Sequence, residues 1–161
     1  MIATAPTRHR GQAGVLAGAE GVLFATLILL TGSLALVNVW AIIDTRAALD
    51  AAAREYLRSY TEQSTPDMAL GAGDAAARDL LRRRGAPVRD LLITVPDAAA
   101  FGPCEPSVVT IEATVPAARL PFLDDLGARR IHVVHRELVD PHREVTHGPD
   151  HDPTATRCAQ G

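Results

Sequence analysis

Residues 21–43 read GVLFATLILLTGSLALVNVWAII, a run of 23 without one charged side chain. At ~1.5 Å rise per residue a helix of this length extends roughly 34 Å, enough to cross a ~30 Å hydrocarbon layer with some tilt. A buried helix of a soluble protein is the competing reading, but such helices normally carry charge on an outward face. A cleaved secretory signal is a second competitor. Its apolar region is only about 7–15 residues and ends at a small-x-small site. Here the run is longer and continues directly into helical sequence. The stretch therefore predicts a retained transmembrane helix over 15–43, behind a leader of 1–14.

The flanks set the orientation. Arg8, His9 and Arg10 precede the span, whereas Asp44, Arg46 and Asp50 follow it with no net positive charge. Basic flanks stay in the cytoplasm. The expectation is a single-pass protein of the cell membrane, N-terminus cytoplasmic and residues 44–161 extracytoplasmic, with Trp40 as an interfacial anchor.

One line along this helix is polar. Glu20, Thr31 and Asn38 are eleven and seven residues apart, so at 100° per residue they fall within about 20° of each other. Polar groups facing lipid are costly and usually meet a protein partner. Gly14 and Gly18 form a small-xxx-small pair suited to close helix approach. The plain alternative is that Thr31 and Asn38 bond to carbonyls of their own helix. These five residues are the candidate helix-packing set.

Beyond the span, Ile42, Thr45, Leu49, Ala52, Ala53, Tyr56 and Tyr60 recur at three- and four-residue spacing, with Asp50–Arg54 and Arg58–Glu62 pairs elsewhere on the surface. The helix should run on as an amphipathic rod and stop before Pro66. A short second helix is predicted from Asp74 as N-cap to Arg82, Arg83 and Arg84 in the last turn, closed by Gly85 and Pro87. The arginines complement the helix dipole there; an anionic-lipid or partner patch is the alternative. Alternating apolar residues then predict three strands, around 91–95, 109–115 and 131–139. The expected fold is α+β: a long N-terminal helix, a short helix and a small three-stranded antiparallel sheet in one domain over 44–143. From 144 to 161 Pro, His, Asp and Gly predominate, and this tail is predicted to be disordered.

The whole chain has 161 residues, 47% hydrophobic but only 4% aromatic, and a formal net charge of −3. A nucleic-acid binder needs a concentrated basic surface, so that class is disfavoured. All sixteen basic residues are arginine, a compositional bias to which no chemistry is attached. Cys104 and Cys158, the only cysteines, lie on the predicted oxidising side. They offer one intramolecular disulfide, against two free thiols or an intermolecular bond. His132 and His135, three apart in a strand, face opposite ways. His147, His151 and the acids Asp150 and Asp152 have weak metal-binding character, but no preorganised geometry is predicted. Asp124 and Asp125 precede a glycine, as turns favour. No nucleophile–base pair or glycine-rich phosphate loop is present, so no enzyme activity, cofactor or metal is expected.

In its layout the sequence resembles the TadE-like family, pseudopilins of the tight-adherence (Flp-type) pilus, in its actinobacterial form. The resemblance rests on the leader ending Arg10-Gly11-Gln12-Ala13, on Glu20 at the start of the span, on the strand Val109-Thr110-Ile111-Glu112-Ala113-Thr114-Val115-Pro116, and on Val139-Asp140-Pro141-His142-Arg143. It covers about Arg10 to Arg143. It implies a pilin-like fold and a minor pilin or pilus-assembly protein whose partners are the bilayer and other pilus or secretion-system subunits. It also implies a prepilin peptidase acting on the leader, with Glu20 pairing to a neighbouring subunit's amino group. Cleavage after Gly14 places Glu20 sixth and cleavage after Gly18 second, where pilins place it fifth. The alternative reading is a membrane-anchored extracytoplasmic binding module, for a ligand or a metal, unrelated to pili.

Overall fold

The computed structural model describes residues 13–116 and 128–154. Helix α1 spans Ala13–Thr61 and helix α2 spans Pro66–Arg83; strands β1 (Arg89–Thr94), β2 (Pro106–Val115) and β3 (Arg129–Leu138) follow, with a 3₁₀ turn at Ala98–Ala100 before β2. The fold is mixed helix and sheet, as expected. The chain divides into two compact units, the first ending at Val39 and the second starting at Trp40.

The first unit is the N-terminal part of α1. No residue in its most apolar 18-residue window is buried, so Val22, Leu23, Phe24, Leu27, Ile28, Leu29 and Leu30 all lie open. Such a surface is far larger than the apolar patches a soluble monomer tolerates. It is the one helix among the described residues long and apolar enough to span a bilayer.

In the second unit, α1 supplies seven of the eighteen buried residues of the core. Leu49, Ala52, Ala53, Tyr56, Leu57 and Tyr60 are buried, and Ile42 packs at the cluster's edge. Buried Thr45 satisfies its hydroxyl on the Ala41 carbonyl at 2.8 Å, which keeps a polar group inside at little cost. Alanines at 48, 52 and 53 leave room for the sheet to approach the helix. Aromatic content is low but concentrated: Tyr56 and Tyr60 stack with centroids 6.0 Å apart, and Phe101 meets Tyr60 edge-on at 5.3 Å. Such pairs add to the area they bury.

The second helix begins earlier than the sequence suggests. Thr65 is its N-cap, accepting from the Met68 amide, and Pro66 occupies the first turn where its missing N–H costs nothing. Asp74 is therefore an interior residue, paired with Arg78 at 2.8 Å, rather than the cap. Gly71 and Gly73 disguise this first half, because glycine is a poor helix former. Gly73 has a packing reason: a Cβ there would lie 2.8 Å from the Tyr56 ring. The C-terminal end is as expected. Gly85 is left-handed at φ 60°, and Gly85 and Ala86 donate to the carbonyls of Arg82 and Leu81, closing a Schellman motif. Arg82 and Arg83 both engage Asp79.

The sheet order is β1-β2-β3, antiparallel throughout. Central β2 alternates strictly, with Ser107, Val109, Ile111, Ala113 and Val115 buried. In β3, Ile131 and Val133 share that inner face, opposite Ala113 and Ile111. Strand β1 begins two residues before the predicted start and carries a register shift between Arg89 and Leu92. Asp90 sits in it with φ 50°, a conformation aspartate tolerates better than most residues.

After β3 the chain does not leave the domain at once. Val139 is fully buried and exchanges backbone hydrogen bonds with Cys104 and Glu105. Thr146 donates to Ser64, Gly148 to Phe101 and Asp150 to Ala99. The segment predicted to be disordered from 144 thus follows, through Thr154, an irregular but hydrogen-bonded path back along the 3₁₀ turn. Its order comes from main-chain groups, which composition does not reveal.

Candidate functional site

The candidate packing residues all lie on α1. Gly14 and Gly18 are in its first turns, and their surroundings fall outside the described side chains. Glu20 is exposed. The Thr31 hydroxyl bonds to the Leu27 carbonyl, as Thr26 bonds to Val22 at 2.8 Å. This is the self-satisfied alternative, and for Thr31 it is the one realised. Asn38 behaves differently: its Oδ1 is shielded from solvent yet accepts no hydrogen bond. The three polar residues share one helix face by their spacing, but only Asn38 is left with a shielded, unsatisfied group.

In the second unit, His132 is exposed on the outer face of β3. His135 points inward, where its Nε2 lies 3.3 Å from Asp50 Oδ1 on α1. The sequence pairs Asp50 with Arg54, four residues on. The sheet instead brings it a partner 85 residues away, which no local spacing reveals. The predicted Arg58–Glu62 pair is present at 3.5 Å. Beside Asp50 runs an open groove of about 560 Å³ lined by Ala47, Asp50, Ala51, Arg54, Glu55, Arg58 and Leu80. Its charges alternate in sign, so it concentrates no potential for a charged ligand.

Two tyrosines are the acids whose ionisation the fold shifts upward. Burial pushes Tyr56 from 10.0 to about 12, with Tyr60 and Asp74 adding in the same direction. Burial also raises Tyr60, with Ser107 nearby opposing the shift; the Tyr60 hydroxyl itself is buried without a hydrogen-bond partner among the described residues. Arg78 is raised by its hydrogen bond to Asp74. These shifts belong to the core and to a helix-surface pair. They do not lie in a cleft, where a shifted group would suggest catalysis.

The late histidines do meet: the rings of His147 and His151 are 4.4 Å apart and tilted by 44°. His151 Nδ1 is buried against Gly102 with no hydrogen-bond partner. Among the described residues no three His, Cys, Asp or Glu side chains gather closely enough to hold a metal ion. Cys104 is buried and is not a free thiol. Cys158, its predicted partner, and Asp124 and Asp125 lie outside the described residues. Compared with protein-family models, with curated proteins and with solved structures, the chain matches none.

Proposed function

We propose that the chain is a non-enzymatic, single-pass membrane protein that acts by helix packing and subunit contacts in a pilus or secretion assembly, as a minor pilin or assembly component. One observation carries this reading. The N-terminal part of α1 is an exposed apolar helix long enough to span a bilayer, in a chain that also carries a small α+β domain. The assembly itself is drawn from the resemblance to the TadE-like pseudopilins, as are the prepilin peptidase and the role of Glu20. The basic residues Arg8, His9 and Arg10 favour a cytoplasmic N-terminus.

Glu20→Ala is the test. The variant should still partition into membranes and resist alkaline extraction, but should fail to co-purify with the assembly's other membrane subunits. A variant that assembles normally removes the role assigned to Glu20. A second reading, an anchored binding module, draws on the contact between His147 and His151. Titration of the whole protein in detergent with Zn²⁺ decides it: no binding at micromolar metal eliminates the metal version.

A further inference from the structure

We infer that residues 144–154 form a redox-controlled strap: its seat on the small domain depends on the Cys104 disulfide, and a dithiol reductant releases it while the sheet stays folded. The inference concerns the second unit alone and goes beyond the assembly reading above, on which it does not rest.

The seat is a specific one. Thr146, Gly148 and Asp150 donate their amides to the carbonyls of Ser64, Phe101 and Ala99 at 2.8, 2.7 and 3.0 Å. A Cβ on Gly148 would run into the Ala99 carbonyl, and one on Gly102 into the His151 ring. A glycine on each side thus brings the strap and the Phe101 turn closer together than side chains would permit.

The hold of that seat is nevertheless weak. Within 144–154 only Gly148 is buried; Val145 and His151 are half-buried and the remainder are exposed, so burial contributes little. His151 Nδ1 is shielded without a hydrogen-bond partner, which is a cost. Each amide bond to the domain contributes, net, about as much as fixing the backbone of a single residue costs, and three such bonds face the ordering of the whole strap. A chain end with no further tie frays from a surface of this kind.

The strap has a tie at each end. Just before it, Val139 exchanges backbone hydrogen bonds with Cys104 and Glu105 at 3.1 Å each. Cys104 is disulfide-bonded, and Cys158, beyond the strap, is the one other cysteine of the chain. The bond brings the chain back to the point from which the strap departs, so the strap is a short closed loop rather than a free tail. Cys104 is a firm post for it. It is buried and held at φ 67°, a left-handed conformation that a residue other than glycine keeps only where its surroundings enforce it.

Release is thiol–disulfide exchange. One thiolate of the dithiol attacks the disulfide, forms a mixed disulfide and expels one protein thiolate; the second thiol then displaces the other protein sulfur. Two electrons pass to the protein, which ends with two thiols, and the reductant ends as a disulfide. The Ser64, Ala99 and Phe101 carbonyls that the strap had occupied are then open to another extended backbone.

The experiment uses the whole chain in detergent and follows amide hydrogen exchange by mass spectrometry, before and after dithiothreitol. In the oxidised monomer the strap amides should exchange at least about tenfold more slowly than those of a free peptide. After reduction they should reach the free-peptide rate, while peptides from β2 and from residues 49–60 of α1 remain protected. Cys158→Ser should give the reduced pattern without reductant, and Gly148→Ala should free the strap with the disulfide intact. A strap still protected after reduction, a strap unprotected in the oxidised protein, protection lost from β2 together with the strap, Gly148→Ala as protected as wild type, or an oxidised protein with the mass of a linked dimer each overturn the inference. None of these results bears on the membrane reading, which alkaline extraction tests separately.

Discussion

The chain has two tyrosines, Tyr56 and Tyr60, and both stand in the core. Raising the pH is therefore a clean perturbation, because the near-ultraviolet absorbance of tyrosinate reports on the packed interior alone. Tyr56 is 2% exposed and is pushed from 10.0 to about 12, chiefly by the loss of hydration its phenolate would suffer. In the unfolded chain the same phenol ionises near 10. Between those two values the unfolded state has released a proton that the folded state keeps, so stability falls as pH rises. The contribution is fully present below pH ~10 and gone above about 12. Two pH units at roughly 1.4 kcal/mol each amount to about 2 to 3 kcal/mol from Tyr56, a large part of a small domain's stability. Tyr60 shifts in the same direction. The assay is a paired titration of the protein in detergent, tyrosinate absorbance alongside circular dichroism. Both signals should stay flat through pH 10 and then change together, steeply, as the sheet and the α1 contacts are lost. Smooth ionisation of both phenols near 10, with the circular dichroism unchanged, would refute the packing described here for Tyr56, Tyr60 and Gly73.

Three further outcomes follow from the same core. Gly73→Ala forces a Cβ against the Tyr56 ring and should cost about 1–3 kcal/mol, less up to ~1 kcal/mol returned by helix propensity. Gly71→Ala, where a Cβ meets nothing within 4 Å, should stabilise by up to ~1 kcal/mol; thermal melts of the two variants should shift in opposite directions. Peptide mapping without reductant should recover Cys104 linked to Cys158, and Cys104→Ser should lower stability by about 2–4 kcal/mol. His135→Ala should cost no more than ~1 kcal/mol in denaturant titrations, because His135 and Asp50 are 25% and 39% exposed and a pair that open to water contributes little.

Much of this architecture is legible from side-chain periodicity. The alternation of Val109, Ile111, Ala113 and Val115 locates the central strand, and the three- and four-residue spacing from Ile42 to Tyr60 locates the buried face of α1. Those patterns work because burial in each element is decided by one face. The parts that escape are governed otherwise. Helix α2 starts at Pro66 because Thr65 caps it, while Gly71 and Gly73 lower its apparent propensity for a reason visible only once Tyr56 is opposite. Residues 144–154 carry few apolar side chains and read as disordered, yet Thr146, Gly148 and Asp150 are held by backbone amides. Asp50 and His135 become neighbours only through the sheet's register. In the span, the shared face of Glu20, Thr31 and Asn38 is plain from arithmetic. That Thr31 is self-satisfied and Asn38 is not depends on rotamers that spacing does not specify.

The order in which the core is synthesised has its own consequence. Tyr60, the last core residue contributed by α1, precedes Val139, the last residue of the hydrophobic core among the described residues, by 79 positions (139 − 60). At about 5–20 residues per second, roughly 4–16 s separate their appearance at the ribosome. Until the central strand β2 ends at Val115, Leu49, Tyr56, Leu57 and Tyr60 have no sheet to cover them, and until β3 is made that sheet lacks its third strand. A nascent chain in this state is prone to aggregate with its neighbours.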